Sequence, residues 1–250
     1  MLSVRSAHVD IETPDGVADA YLTRPDDGER HPGVLLIMDA FGLRPRIEAM
    51  ADRIAERGYA VLAPNVLYRA GKAPVVPMPD LADEDARAEF FKEVRPLMAE
   101  LTQERMTTDG AAYLDTLAEV ADEPFAITGY CMGTRVGLRI AAAHPDRVAA
   151  LGGFHGGGLV TDDPDSPHLL AGALRAELYL GHADDDPSNS PEQIAALDAA
   201  LDEASVRHRS EVYAGARHGY TMADTPVYDE EASERHFAAL FSLLDRTLPR

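Results

Sequence analysis

The chain has 250 residues and one cysteine, and Lys+Arg 23 against Asp+Glu 43 leave a formal net charge of −20. The acidic surplus repels polyanions over most of the surface, which argues against nucleic acid or an anionic membrane as a partner. A lone cysteine excludes an intrachain disulfide and suits a reducing interior. Hydrophobic residues at 46% and charged residues at 26% are those of an ordinary globular protein, and this length fits a single α/β domain spanning residues 1–250. No apolar run reaches signal-peptide or membrane-span length, so a soluble cytoplasmic protein, monomeric or a small homo-oligomer, is expected.

Val4–Glu12 and Ala18–Thr23 read as half-buried strands joined by the turn residues TPDG, an antiparallel opening. GVLLIMDAFG is then a continuous apolar run, as expected of a strand covered on both faces. Ile47, Met50 and Ile54 follow at helical spacing, with Gly58 as a stop before the buried strand YAVLAPNVL. Tyr68–Pro79 has neither period and predicts an irregular loop. Leu81–Val120 reads as helix broken near Pro96, where a proline removes a hydrogen bond. Beyond residue 131 the pattern alternates: helix to His144, strand RVAALGGF, a Gly- and Asp-rich loop, strand RAELYLGH, helix, strand RSEVYAG, and a last helix from about Ser233. Ser190, Pro191 and Gln193 supply an N-cap, a first-turn proline and a capping box. This alternation predicts a mainly parallel sheet with helices on both faces and ligands at the carboxyl ends of its strands.

The cysteine falls at one of those ends. Phe125–Thr128 is a strand and Thr134–Ala143 a helix, leaving Gly129-Tyr130-Cys131-Met132-Gly133 as the turn between them. That is the context of a nucleophile elbow with sulfur in place of oxygen. A buried structural thiol in a glycine turn is the bland alternative, and what decides between them is whether an acid and a histidine follow in order after later strands. His218, in the turn Ala214–Gly219 after the last strand, fits the base, whereas His168, His208 and His236 read as surface residues. His155 and His182 follow strands and could line the same cleft. Asp184, ending GHAD, is taken as the acid, although it opens a run of three aspartates of which any one could face His218. In this reading His218 takes the thiol proton, Asp184 fixes its tautomer, and the thiolate attacks an ester carbonyl. The backbone N–H groups of Met132 and Ala40 would form the oxyanion hole.

IMDAFG, GYCMGT, GHAD and GARHG together resemble the dienelactone hydrolase family of α/β-hydrolases, from about His8 to Phe241. The resemblance implies a single-domain α/β-hydrolase fold, no metal or cofactor, and cleavage of enol-lactones such as 4-carboxymethylenebut-2-en-4-olide to maleylacetate. It places on Asp39 the family's acidic residue near the nucleophile, where it could hold the thiol proton, and on Arg87 an arginine that binds substrate carboxylate. From spacing alone Arg87 could equally be a surface charge paired with Asp83. A second family arginine, four residues after the histidine, is replaced here by Met222. Arg217 or Arg135 could compensate; otherwise a less polar ester fits better, in a pocket that Met78, Met98 and Phe90 or Phe91 could line. Other readings are a general carboxylesterase on the same triad, metal-dependent hydrolysis through His182, Asp184 and Asp186, and a non-catalytic binding or redox-sensing module using Cys131.

Overall fold

The computed structural model describes residues 1–248; the last two residues of the expected domain lie outside the described residues. The opening pair forms as anticipated: β1 (Val4–Thr13) and β2 (Gly16–Pro25) run antiparallel in continuous register from Val4–Pro25 to Thr13–Gly16. The other six strands are β3 (His31–Ile37), β4 (Ala60–Pro64), β5 (Ala121–Tyr130), β6 (Val148–Phe154), β7 (Glu177–Ala183) and β8 (His208–Tyr213). They complete one eight-stranded sheet in the order β1-β2-β4-β3-β5-β6-β7-β8, with every pairing from β4 to β8 parallel.

The apolar runs of β3 and β4 are buried along nearly their whole length because helices cover both faces of the sheet. On one face lie α1 (Pro45–Ala55) and α6 (Glu230–Thr247), locked by Arg53, which stacks 3.9 Å over Phe237 and pairs with Glu234. On the other face lie α3 (Gln103–Ala118) and α4 (Met132–Ala143). The helix α5 (Pro191–Glu203) begins at the capping box read in the sequence: Ser190 N–H donates to Gln193 Oε1 at 2.8 Å and Gln193 N–H to Ser190 Oγ at 3.4 Å. Fully burying one of the core leucines or isoleucines is worth roughly 1.5–3 kcal/mol.

Two sequence expectations are corrected. The helix α2 (Glu84–Ala99) runs through Pro96 rather than breaking there. The proline sits in its last turn, and the break to α3 comes at residues 100–102, where Thr102 caps the new helix. His236 is not a surface residue. It is fully buried on α6, where it meets Tyr130 Oη through Nε2 at 3.2 Å and Ser233 O through Nδ1 at 2.6 Å.

From β3 the chain crosses to β4 on one side and returns to β5 on the other. The loops leaving the carboxyl ends of β3 and β5 therefore diverge and open a crevice. The first carries Asp39 and Ala40, and the second carries Cys131.

Candidate active site

Cys131 stands between β5 and α4 with φ 54° and ψ −117°. A residue with a Cβ in that region stores strain on the order of 1–3 kcal/mol, and the surrounding structure must hold it there. Here the Cys131 N–H donates to Phe154 O at 3.0 Å, and the Thr134 hydroxyl donates to Gly129 O at 3.0 Å. The flanking glycines are obligatory. A Cβ on Gly129 would lie 2.3 Å from Gly133 O, and one on Gly133 would lie 2.4 Å from Ile37 O. The strained turn leaves the thiol half-buried at the N-terminus of α4, where the helix dipole favours negative charge.

The thiol opens into a cavity of about 230 Å³ lined by residues from five loops and from α2. His218 lies across it from Cys131, within hydrogen-bond reach of the sulfur. On its other side His218 Nδ1 meets Asp186 Oδ2 at 2.6 Å. Burial opposes charge on this imidazole, but the facing Cys131 sulfur and the bond to Asp186 carry its pKa up to about 11. The Asp186 carboxyl is pushed up by burial and pulled down more strongly by His218 and by two bonds from Ser188, so it stays below the usual carboxylate range.

The acid facing His218 is thus Asp186, which corrects the expectation for Asp184. Asp184 is exposed; its Oδ2 accepts the Gly215 N–H at 2.8 Å and its own N–H donates to Ala216 O at 2.7 Å. It fastens the loop that carries His218 and leaves the ring to Asp186, two residues on, where the turn Asp186-Pro187-Ser188 brings the carboxylate inward. The sequence did carry a signal for this, since an aspartate accepting from the N–H two residues later is an Asx turn.

The expected metal ligands do not converge. His182 Nδ1 is bonded to Asn189 Nδ2 at 2.9 Å and its Nε2 to Ser210 Oγ at 3.0 Å, beneath the Asp186 loop and outside the cavity. Among the described residues no group of three or more His, Cys, Asp or Glu side chains is arranged to hold a metal ion. His155 does line the cavity. It is buried, bonded through Nε2 to Thr221 Oγ1 at 2.7 Å, and packed edge-on to His218 with ring centroids 5.3 Å apart. Burial, with the facing His218, pushes its pKa well below the ordinary histidine value, so it stays neutral.

Ala40 lines the cavity, and neither its N–H nor that of Met132, the first residue of α4, meets an acceptor among the described residues. Asp39 also lines it, but its carboxylate is committed to Arg44 Nη1 at 2.6 Å and Nη2 at 3.1 Å and to the Phe41 N–H at 3.0 Å. The expectation that it holds the thiol proton is therefore corrected, because both oxygens already serve a buried guanidinium. Arg44 is the residue that sequence reading missed. It reaches on to Asp224 Oδ2 at 2.6 Å, on the loop after His218, and no short-range pattern signals a partner 180 residues away.

Arg87 lines the cavity and does not pair with Asp83, whose carboxylate instead caps α2 by accepting from the Asp85 and Ala86 N–H groups. Arg217 lines the cavity too, and among the described residues neither arginine has a carboxylate partner. Arg135 is turned to Met98 O at 3.2 Å. Met222 is buried in the cavity wall with Phe41, Phe91, Leu81 and Val227 around it. Of the other pocket expectations, Phe90 packs behind Phe41 at 5.1 Å between centroids, and Met78 and Met98 do not line the cavity.

A nucleophile elbow at the switch point of a mainly parallel eight-stranded sheet, with a histidine and an aspartate from later strand ends, defines an α/β-hydrolase. The model of the dienelactone hydrolase family matches residues 18–248, and the chain belongs to that family of ester and lactone hydrolases. It is 25% identical over 238 residues to a Synechocystis sp. protein provisionally named a carboxymethylenebutenolidase, covering 93% of both chains. It is also 30% identical over 152 residues to the carboxymethylenebutenolidase of Rhodococcus opacus, covering 58% of this chain and 53% of that one. Among solved structures, a provisionally named dienelactone hydrolase from Klebsiella pneumoniae superposes with a TM-score of 0.85 at 22% identity, covering 98% of this chain and 99% of that one. No helix among the described residues is long and apolar enough to cross a membrane.

Proposed function

We propose that this hydrolase cleaves a lactone or carboxylic ester through a Cys131–His218–Asp186 triad and a thioester intermediate. The observation that carries the reading is His218 bonded to Asp186 at 2.6 Å on one side and facing the Cys131 thiol on the other, over a cavity. His218, steadied by its bond to Asp186, takes the thiol's proton and so forms the attacking thiolate. The thiolate attacks the acyl carbon, and the oxyanion takes hydrogen bonds from the Ala40 and Met132 N–H groups. The acyl C–O bond then breaks and the His218 proton passes to the departing oxygen. Water next adds to the thioester, His218 removes its proton, and the thiol and the free acid are released.

The substrate is recognised by an apolar pocket with guanidinium groups at its edge. Arg87 is the contact for a substrate carboxylate, and Met222 withdraws the second charge that the family resemblance would place there. The test is hydrolysis of the cis and trans dienelactones beside a short-chain p-nitrophenyl ester, with Cys131→Ala in the same assay. Turnover of the lactones, lost in the variant, supports the nucleophile and the anionic substrate together. Turnover of the neutral ester alone assigns the chain to carboxylesterase chemistry, the second reading that the buried Met222 favours. Equal rates for the two proteins would overturn both.

A further inference from the structure

We propose that Ser188 is a positioning residue of this hydrolytic site, which fixes one oxygen of Asp186 so that the other is presented to His218. The inference rests on the reading of Asp186 and His218 as acid and base. Ser188 reaches the carboxylate twice: its hydroxyl donates to Asp186 Oδ1 at 2.7 Å and its backbone N–H donates to the same oxygen at 2.9 Å. Its Oγ lone pair also faces His218 Nδ1 at 3.1 Å. The donors are consistent with one arrangement: the Nδ1 proton is shared between Asp186 Oδ2 and Ser188 Oγ while the Ser188 proton points to Oδ1. In that arrangement Nε2 is the nitrogen left for the sulfur. A carboxylate free to rotate would offer His218 either oxygen at poorer geometry, and the Ser188 bonds remove that freedom.

Gly157, on the loop after β6, makes room for this contact. A Cβ there would fall 2.7 Å from Ser188 Oγ and 3.1 Å from Ser188 Cβ, but 3.6 Å from His218 Cε1. A methyl group at position 157 would therefore displace the hydroxyl while leaving the imidazole room. The charged and titratable groups around the pair are few. His218 faces Cys131 and His155, with Arg217 adjacent in sequence, and Asp186 faces His218, with His182 beneath its loop. Burial holds both His155 and His182 below the ordinary histidine pKa.

The experiment measures kcat, KM and the pH profile of p-nitrophenyl ester hydrolysis for Ser188→Ala, Gly157→Ala and the double variant, with Cys131→Ala as reference. Because Ser188 is exposed and its backbone N–H remains, water can replace part of the bond, and Ser188→Ala should lower kcat about three- to tenfold with KM unchanged. The acid limb should move to higher pH, because Asp186 loses a donor that helps to hold it ionised. Gly157→Ala should reproduce both effects and add little to Ser188→Ala, since the two act through one hydroxyl. Unchanged kcat and acid limb in Ser188→Ala, or fully additive losses in the double variant, would overturn the role of Ser188 while activity absent from Cys131→Ala keeps the triad. Full activity in Cys131→Ala would remove the triad and this inference with it.

Discussion

Arg44 holds Asp39 in a two-point ion pair, Nη1 to Oδ1 at 2.6 Å and Nη2 to Oδ2 at 3.1 Å, with both side chains buried. The same guanidinium bonds Gly42 O at 3.1 Å and the partly exposed Asp224 at 2.6 Å, so it joins the loop after β3 to the loop after His218. Burial pushes the Asp39 carboxyl above its ordinary value, and the adjacent Arg44 charge opposes that push. The pair therefore survives only intact. Arg44→Met should cost about 3–5 kcal/mol by leaving a buried carboxylate alone, and Asp39→Asn added to it should recover part of the loss. Asp224→Asn, at the wetter end, should cost less than about 1 kcal/mol. Urea unfolding of the wild type, the two single variants and the double variant checks the ranking, and a double variant no more stable than Arg44→Met would contradict it.

The two aspartates near His218 separate by function. Asp186→Asn leaves a donor amide against Nδ1 and favours the wrong imidazole tautomer, so kcat should fall about 10³- to 10⁴-fold. Asp184→Asn disturbs only the acceptor for the Gly215 N–H at 2.8 Å and should change kcat less than about threefold, with a stability loss of about 1 kcal/mol or less. Steady-state kinetics on one ester decide between them; a larger kcat loss in Asp184→Asn would return the acid to that residue.

Legibility in the sequence followed the range of the interactions. The α5 capping box depends on residues within one turn and was readable, as were the buried runs of β3 and β4 and the glycine spacing around Cys131. Which of three adjacent aspartates turns inward depends on the path of a loop, and GHAD pointed to the nearest one instead. His236 was misread because a lone histidine resembles a surface residue, although Phe237, Leu240 and Leu244 beside it already mark a buried face. The Arg44–Asp224 contact has no local signature at all. Pro96 reads as a break, yet the chain stays helical through Ala99 at the cost of one backbone hydrogen bond.

The elbow should be intolerant of a single methyl group. In Gly133→Ala the new Cβ would sit 2.4 Å from Ile37 O, at the end of β3, and 2.6 Å from Met38 O, the next residue on the way to Asp39 and Ala40. Relief requires the Cys131 turn or the loop after β3 to shift by several tenths of an ångström, and catalytic geometry is sensitive on that scale. Activity should fall at least about 100-fold even where circular dichroism shows a folded protein. Gly172→Ala, where a Cβ meets nothing within 4 Å, is the control and should retain full activity.

Stability should fall on the acid side of neutrality before the carboxylates titrate. His236 is fully buried, and burial lowers its pKa to about 3, while in the unfolded chain it titrates near the ordinary value. Between roughly pH 6.5 and pH 3 the unfolded state therefore binds a proton that the folded state refuses, and stability drops by about 1.4 kcal/mol per pH unit for this group. His155 is lowered in the same direction and steepens the slope further. Above the ordinary histidine pKa both states are neutral and the contribution vanishes. His236→Gln, which keeps polar atoms for Tyr130 and the Ser233 carbonyl, should flatten the dependence of unfolding free energy on pH by about one proton between pH 6 and 4. Urea titrations at half-unit intervals measure that slope, and an unchanged slope would mean that His236 gains its proton without leaving the fold.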